Sequence, residues 1–194
     1  RSWAAGTGAP DTVRDIEDGH PDAWRQVYGG ISELGLFGVA VAEEHGGAGG
    51  SVVDLCAMVG EAARALIPGP VMTTALATLV VTDPALLQEL SAGQRTAGAT
   101  LHAELHEEAG RISGTADYVL GALSSGLLLL PVGEHVVAVD AAVDGVVVEP
   151  LEATDFSRPL ARVRLDSVPA TRLSVSRQEF ADLAATLSAA EAAG

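Results

Sequence analysis

Cysteine is nearly missing from this chain: Cys56 is the only one in 194 residues. That excludes an intrachain disulfide framework and a cysteine-based metal site, and leaves a small apolar side chain in a reducing compartment. Aromatic residues are almost as scarce, at 4%, although 48% of the residues are hydrophobic. A core built from this sequence must therefore be made mainly of Ala, Val and Leu. Basic residues are few, and the formal net charge is -15. Such a chain lacks the cationic footprint that binds nucleic acid or an anionic membrane. The longest run without a charge, residues 65–82, is broken by Pro68, Gly69 and Pro70. It cannot supply the roughly 20 apolar residues of a membrane span. Arg1 to Pro10 is polar and Gly-rich, unlike a secretory signal. Together these features read as a soluble, cytoplasmic protein.

What is present divides by period. Trp24, Val27, Tyr28, Ile31 and Leu34 form one helical face, closed by Gly35. A short apolar stretch, Leu36 to Val41, leads into the turn-rich Glu43-Glu44-His45-Gly46-Gly47-Ala48-Gly49-Gly50. Ser51 with Asp54 opens a second helix, striped by Val52, Leu55, Cys56, Val59, Ala62, Ala63 and Leu66 and ended by Pro68-Gly69-Pro70. Val71, Met72, Ala75, Leu76, Leu79 and Val80 give a third helical face. Asp83-Pro84 starts a short fourth helix that Gly93 stops.

Near Thr96 the period changes. Thr96 to Leu105, Arg111 to Leu120, Leu127 to Val132, Val136 to Asp140, Val146 to Glu149 and Leu160 to Leu165 are short branched or Leu-rich runs separated by turn residues. Val143-Asp144-Gly145 reads as a hairpin-type turn. Arg162, Arg164 and Asp166 alternate with Ala161, Val163 and Leu165, so one face of that strand is expected to be wet. From Arg177 a helical stripe returns: Phe180, Leu183, Ala184, Leu187 and Ala190. The expected fold class is α+β: an amino-terminal α-helical domain (1–95), a small antiparallel β-domain (96–173), and the start of a further helical domain (174–194). The last stripe needs a partner, either on the first domain or on a third domain or chain.

Isolated candidate sites resolve to bland readings. The five histidines are scattered, with no zinc-ligand spacing on a helix. The Gly46–Gly50 run lacks both the strand–GxGxxG–helix context and a P-loop lysine, so it reads as a turn rather than a phosphate cradle. Ser124 and Ser125 have no visible His–Asp partners. Glu43 and Glu44 read as solvated loop carboxylates.

The ordered set of motifs points further. The stretch Leu34-Gly35-Leu36-Phe37-Gly38-Val39-Ala40-Val41-Ala42-Glu43-Glu44-His45-Gly46-Gly47-Ala48-Gly49 resembles a phrase of the acyl-CoA dehydrogenase family, with Ala42 where proline is usual. Glu61-Ala62-Ala63-Arg64-Ala65-Leu66 resembles the end of that family's next helix. Val143 to Val148 and Thr154 to Ala170 resemble its closing β-strands. The resemblance spans nearly the whole chain in order. It implies FAD-dependent α,β-desaturation of an acyl-CoA, in lipid or steroid breakdown. The family's glutamate base lies in a carboxy-terminal helical domain, so the resemblance assigns no catalytic residue here.

The resemblance also implies cofactor-side positions. Leu101 and His102 stand where the family has a Thr-Glu pair, and the Gly-Ser-Asp turn that follows is absent. Tyr118, Val119 and Leu120 fall on the family's aromatic-Ile-hydroxyl phrase. Tyr118 keeps a ring, whereas Leu120 cannot donate a hydrogen bond. Each lost partner to a buried flavin heteroatom costs on the order of 1–3 kcal/mol. Two readings remain open. In one, the chain is part of a working flavoenzyme with a degenerate pocket. In the other, it is a non-catalytic subunit or half that scaffolds a partner dehydrogenase and binds no flavin by itself. Both imply a homo- or hetero-oligomer with a second dehydrogenase-like subunit or half.

Overall fold

The computed structural model describes residues 6–153, 155 and 157–194. Among these, five helices come first: α1 (Ala9–Glu17), α2 (Trp24–Glu33), α3 (Val52–Arg64), α4 (Val71–Val80) and α5 (Pro84–Ser91). Local chemistry sets their ends. At the start of α3, Ser51 Oγ accepts from the Asp54 N–H at 3.3 Å, and the Asp54 carboxylate accepts from the Ser51 N–H at 2.8 Å. This is a full reciprocal capping box built with aspartate in place of glutamate. The start of α5 is capped by Asp83, whose carboxylate takes the Leu86 N–H at 2.8 Å, with Pro84 in the first turn.

α3 ends earlier than Pro68. Leu66 turns left-handed at φ 55, its N–H bonding to Ala63 O, while the Ile67 N–H bonds to Ala62 O. These two bonds form a Schellman stop, here with leucine where glycine is usual. Leu66 thereby leaves the α3 stripe and stands 60% exposed. The 36–41 stretch winds as a series of turns that bury Leu36, Phe37 and Val41.

α4 is the central helix, buried on nearly every side. Two of its threonines turn their hydroxyls back on local carbonyls: Thr73 to Pro70, and Thr78 to Ala75. The Thr74 hydroxyl instead accepts the Ala97 N–H at 3.1 Å, tying α4 to the first strand.

Eight strands follow: β1 (Ala97–Ala99), β2 (Glu104–Glu108), β3 (Arg111–Leu120), β4 (Leu127–Val132), β5 (His135–Asp140), β6 (Val146–Leu151), β7 (Leu160–Pro169) and β8 (Thr171–Ser176). They form one sheet in the order β6-β7-β3-β1-β4-β5-β8, with β2 paired to β3. The α+β class is as expected, and the ladders are antiparallel with one exception: β1 runs parallel to β4. The β2–β3 excursion separates these two strands in sequence and brings the chain back in the same direction.

Two further differences have local causes. The expected strand from Thr96 to Leu105 breaks after Ala99, because the buried Thr100 hydroxyl accepts the His102 N–H and holds a turn. Residues 143–145 do turn, with Gly145 at φ 96, but β5 and β6 are not paired. That turn carries the chain from one side of the sheet to its far edge rather than closing a hairpin.

Alternation along β4 shows how the cores divide. Leu127 and Leu129 join a core shared with the helices, whereas Leu128 and Leu130 join a second core enclosed by the sheet. On β7, Ala161, Val163 and Leu165 are buried while Arg164 and Asp166 are exposed, as the alternation implied.

The last helix, α6 (Arg177–Ala193), finds its partner within the chain. Phe180, Ala184 and Leu187 are buried in the helix-side core with Leu55, Val59 and Leu76. Of the partners left open from the sequence, the stripe takes the first domain: the packing surface is on α3 and α4. Gly60 on α3 allows the approach, since a Cβ there would meet Ala190 O at 3.0 Å.

Candidate functional site

Where α4, α6 and the ends of β1 and β3 meet, they leave a cleft of about 280 Å³. α4 contributes Met72, Thr73 and Leu76, and α6 contributes Phe180, Ala184, Ala185 and Ser188. The sheet side contributes Ala99 from the end of β1, Thr100, Leu101 and His102 from the β1–β2 turn, and Tyr118 and Leu120 from β3. Four of the five residues singled out from sequence, Leu101, His102, Tyr118 and Leu120, therefore gather at one site. Val119 does not line it; its side chain is fully buried in the second core. The helical walls were not read as part of a site. Their signal was available, because the faces of Met72–Leu76 and Phe180–Ala184 are the two stripes the cleft separates.

The rim is held from behind. β3 bulges between Ala116 and Val119, and Tyr118 there adopts φ 54 and is 70% exposed. A left-handed backbone at a bulky aromatic costs of order 1–3 kcal/mol and persists only where neighbours enforce it. Here the Asp117 carboxylate takes Arg162 Nε at 2.5 Å, and the Thr100 hydroxyl lies 3.2 Å from the Asp117 carbonyl, to which it donates. The same ion pair raises the Arg162 pKa above its ordinary value.

The chemistry of the lining is apolar. Among the described residues no Asp or Glu lines the cleft, so none supplies a proton acceptor of that kind there. The Thr73 and Thr100 hydroxyl protons are spent on carbonyls. Leu101 and Leu120 bring no polar side-chain atom. Beyond the two threonines, the polar side chains of the lining are those of His102, Tyr118 and Ser188, all exposed. An isoalloxazine ring presents several heteroatoms along one edge, so these side chains do not by themselves fit FAD.

Other candidates fall away. In the Gly46–Gly50 loop every N–H is turned inward. Gly46 bonds to Glu43 O, Gly47 to Ala42 O, Ala48 to Gly38 O, Gly49 to Val41 O and Gly50 to Val39 O. None is left for a phosphate, and a Cβ on Gly47 would stand 2.1 Å from Val41 O. Glu43 and Glu44 are exposed in a short 3-10 turn. No group of His, Cys, Asp and Glu suited to a metal occurs among the described residues. Nor, among them, is any helix long and apolar enough to cross a membrane.

Comparison with known proteins decides the family. Residues 1–98, half of the chain, match the model of the acyl-CoA dehydrogenase N-terminal domain. The chain belongs to the acyl-CoA dehydrogenase family. It is 54% identical over 200 residues to acyl-CoA dehydrogenase FadE34 of Mycobacterium tuberculosis, covering 100% of this chain and 28% of that relative. Among solved structures it is similar to a variant of the Tcur3481-Tcur3483 steroid ACAD, with TM-score 0.80, 25% identity, and 98% and 61% of the two chains covered. An acyl-CoA dehydrogenase of Bacillus anthracis complexed with FAD shares the fold, with TM-score 0.71, 17% identity, and 96% and 40% covered. The chain thus spans less than a third of FadE34 and under two thirds of either solved chain. Family members are oxidoreductases that typically use FAD.

Proposed function

We propose that this chain is part of an acyl-CoA dehydrogenase that desaturates an acyl thioester at its α,β-bond, with the α4–α6 cleft receiving an apolar portion of the acyl group. The observation that carries this reading is the lining: two helices and the ends of two strands converge on an apolar space in which no carboxylate stands among the described residues. A hydrocarbon needs no hydrogen-bond partner, so spent hydroxyls and leucines suit it. Similarity to a steroid ACAD supports a bulky acyl group in lipid or steroid breakdown.

FAD is the cofactor of this reading, shared with a second dehydrogenase-like subunit or half. The cleft offers too few polar side chains to hold the ring alone, and the chain's charge of -15 opposes a diphosphate. Tyr118 is then its main flavin-side contact, through packing. The Tcur3481-Tcur3483 dehydrogenase is named for two proteins, which supports a hetero-oligomer. A cytoplasmic location accords with a single cysteine and the absence of a membrane-length apolar helix among the described residues.

The test is to purify the protein, add FAD and acyl-CoA thioesters, and follow flavin binding and bleaching with and without the second polypeptide or half. Bleaching that requires the second component is expected. Stoichiometric FAD with substrate-dependent bleaching by this chain unaided would sink the shared-flavin reading. A preparation that stays colourless and inactive with every partner would favour the second reading, a scaffold without flavin.

A further inference from the structure

Arg177 is the first residue of α6, and it reaches out of its helix in two directions. Its Nη2 donates to the Leu101 carbonyl at 3.2 Å, and its Nη1 lies 3.5 Å from the Gly133 carbonyl. Its own N–H bonds to the Glu134 carbonyl at 3.0 Å. Leu101 sits in the β1–β2 turn on the sheet side of the cleft, and Gly133–Glu134 is the β4–β5 turn. One residue therefore ties the base of one cleft wall, α6, to the opposite rim and to a third turn.

We infer that Arg177 is a positioning residue that sets the width of the cleft and with it the bulk of the acyl group admitted. This rests on the acyl-cleft reading above. Leu101 is held from two sides: its carbonyl by Arg177, and its neighbours by the Thr100 hydroxyl, which also fastens the backbone beside Tyr118. Arg177 does not line the cleft, so it acts through Leu101 and not on the ligand. Guanidinium suits the task because its fork serves two carbonyls at once from a fixed plane. An ammonium reaches them as a single point charge. Without the staple, the 100–103 turn keeps its Thr100 bond but loses its tie to α6. The distance from Leu101 to the Phe180–Ala184 wall then becomes free to vary.

The experiment compares wild type, Arg177→Ala, Arg177→Lys and a control, Arg172→Ala, in the full chain. Arg172 is exposed on β8 and removes the same charge away from the rim. Amide hydrogen exchange at residues 100–103 reads the tie directly. Relative affinity for hexadecanoyl-CoA and for a steroid-carboxylate CoA thioester reads the width. Arg177→Ala is expected to speed exchange in that turn by about tenfold and to change the affinity ratio by about fivefold. Arg177→Lys should fall between, and Arg172→Ala should match wild type. Unchanged exchange in Arg177→Ala overturns the staple, and faster exchange with an unchanged ratio overturns its role in specificity. Wild type binding neither thioester overturns the acyl-CoA reading itself. That failure is distinguished from failure of the staple by the exchange result.

Discussion

Leu66 carries a backbone conformation that its side chain resists. At φ 55 it completes the Schellman stop of α3, and it is 60% exposed, so little packing is lost on removing its side chain. Leu66→Gly is expected to raise unfolding stability by about 0.5–1 kcal/mol in a denaturant titration. Gly47 is the opposite case: alanine there would drive its Cβ into the Val41 carbonyl. Gly47→Ala should cost about 1–3 kcal/mol, read as a lower melting temperature. Charge works at this scale too. The Ala142 N–H and then Arg95 hold the Asp140 carboxyl below its ordinary 3.8. A folded pKa below the unfolded one gives stability that is present above the ordinary value and lost as pH falls through the folded value. Asp54 and Glu179, held down by Ser51 and Ser176, act in the same direction. Melting temperature is therefore expected to fall as pH drops below about 4, and Asp140→Asn should flatten part of that fall.

Among the elements, α6 decides most. Phe180 is fully buried where α6 meets α4, and it also lines the cleft. Phe180→Ala should destabilise the protein by about 3–5 kcal/mol, measured by thermal or urea unfolding. The helices themselves were legible from their caps and stripes: Ser51–Asp54, Asp83–Pro84, and Phe180 with Ala184 and Leu187. The partner of the α6 stripe was not legible, because periodicity shows which face is apolar and not what covers it. The strands show a similar limit. The alternation of Ala161, Val163 and Leu165 was readable, whereas the break after Ala99 depended on a single threonine hydroxyl. The parallel β1–β4 ladder follows from the path of the chain and leaves no mark in any strand's own residues.

At the scale of the whole molecule, the site was half legible. Leu101, His102, Tyr118 and Leu120 were found through family resemblance and do converge. Their apolar role and the helical walls facing them became visible only once α4 and α6 were seen packed across the gap. The docking of α6 on α3 also has a consequence in time. More than a hundred residues separate the two helices in sequence, and the whole sheet lies between them. At roughly 5–20 residues per second, a ribosome takes on the order of ten seconds to cross that interval. Throughout it, the α3–α4 surface stands without its cover. Contacts this distant raise the contact order and place closure of the helix-side core late in folding. A nascent chain arrested before Arg177 is thus expected to expose this surface to chaperones, and release of α6 to be the event that ends that exposure.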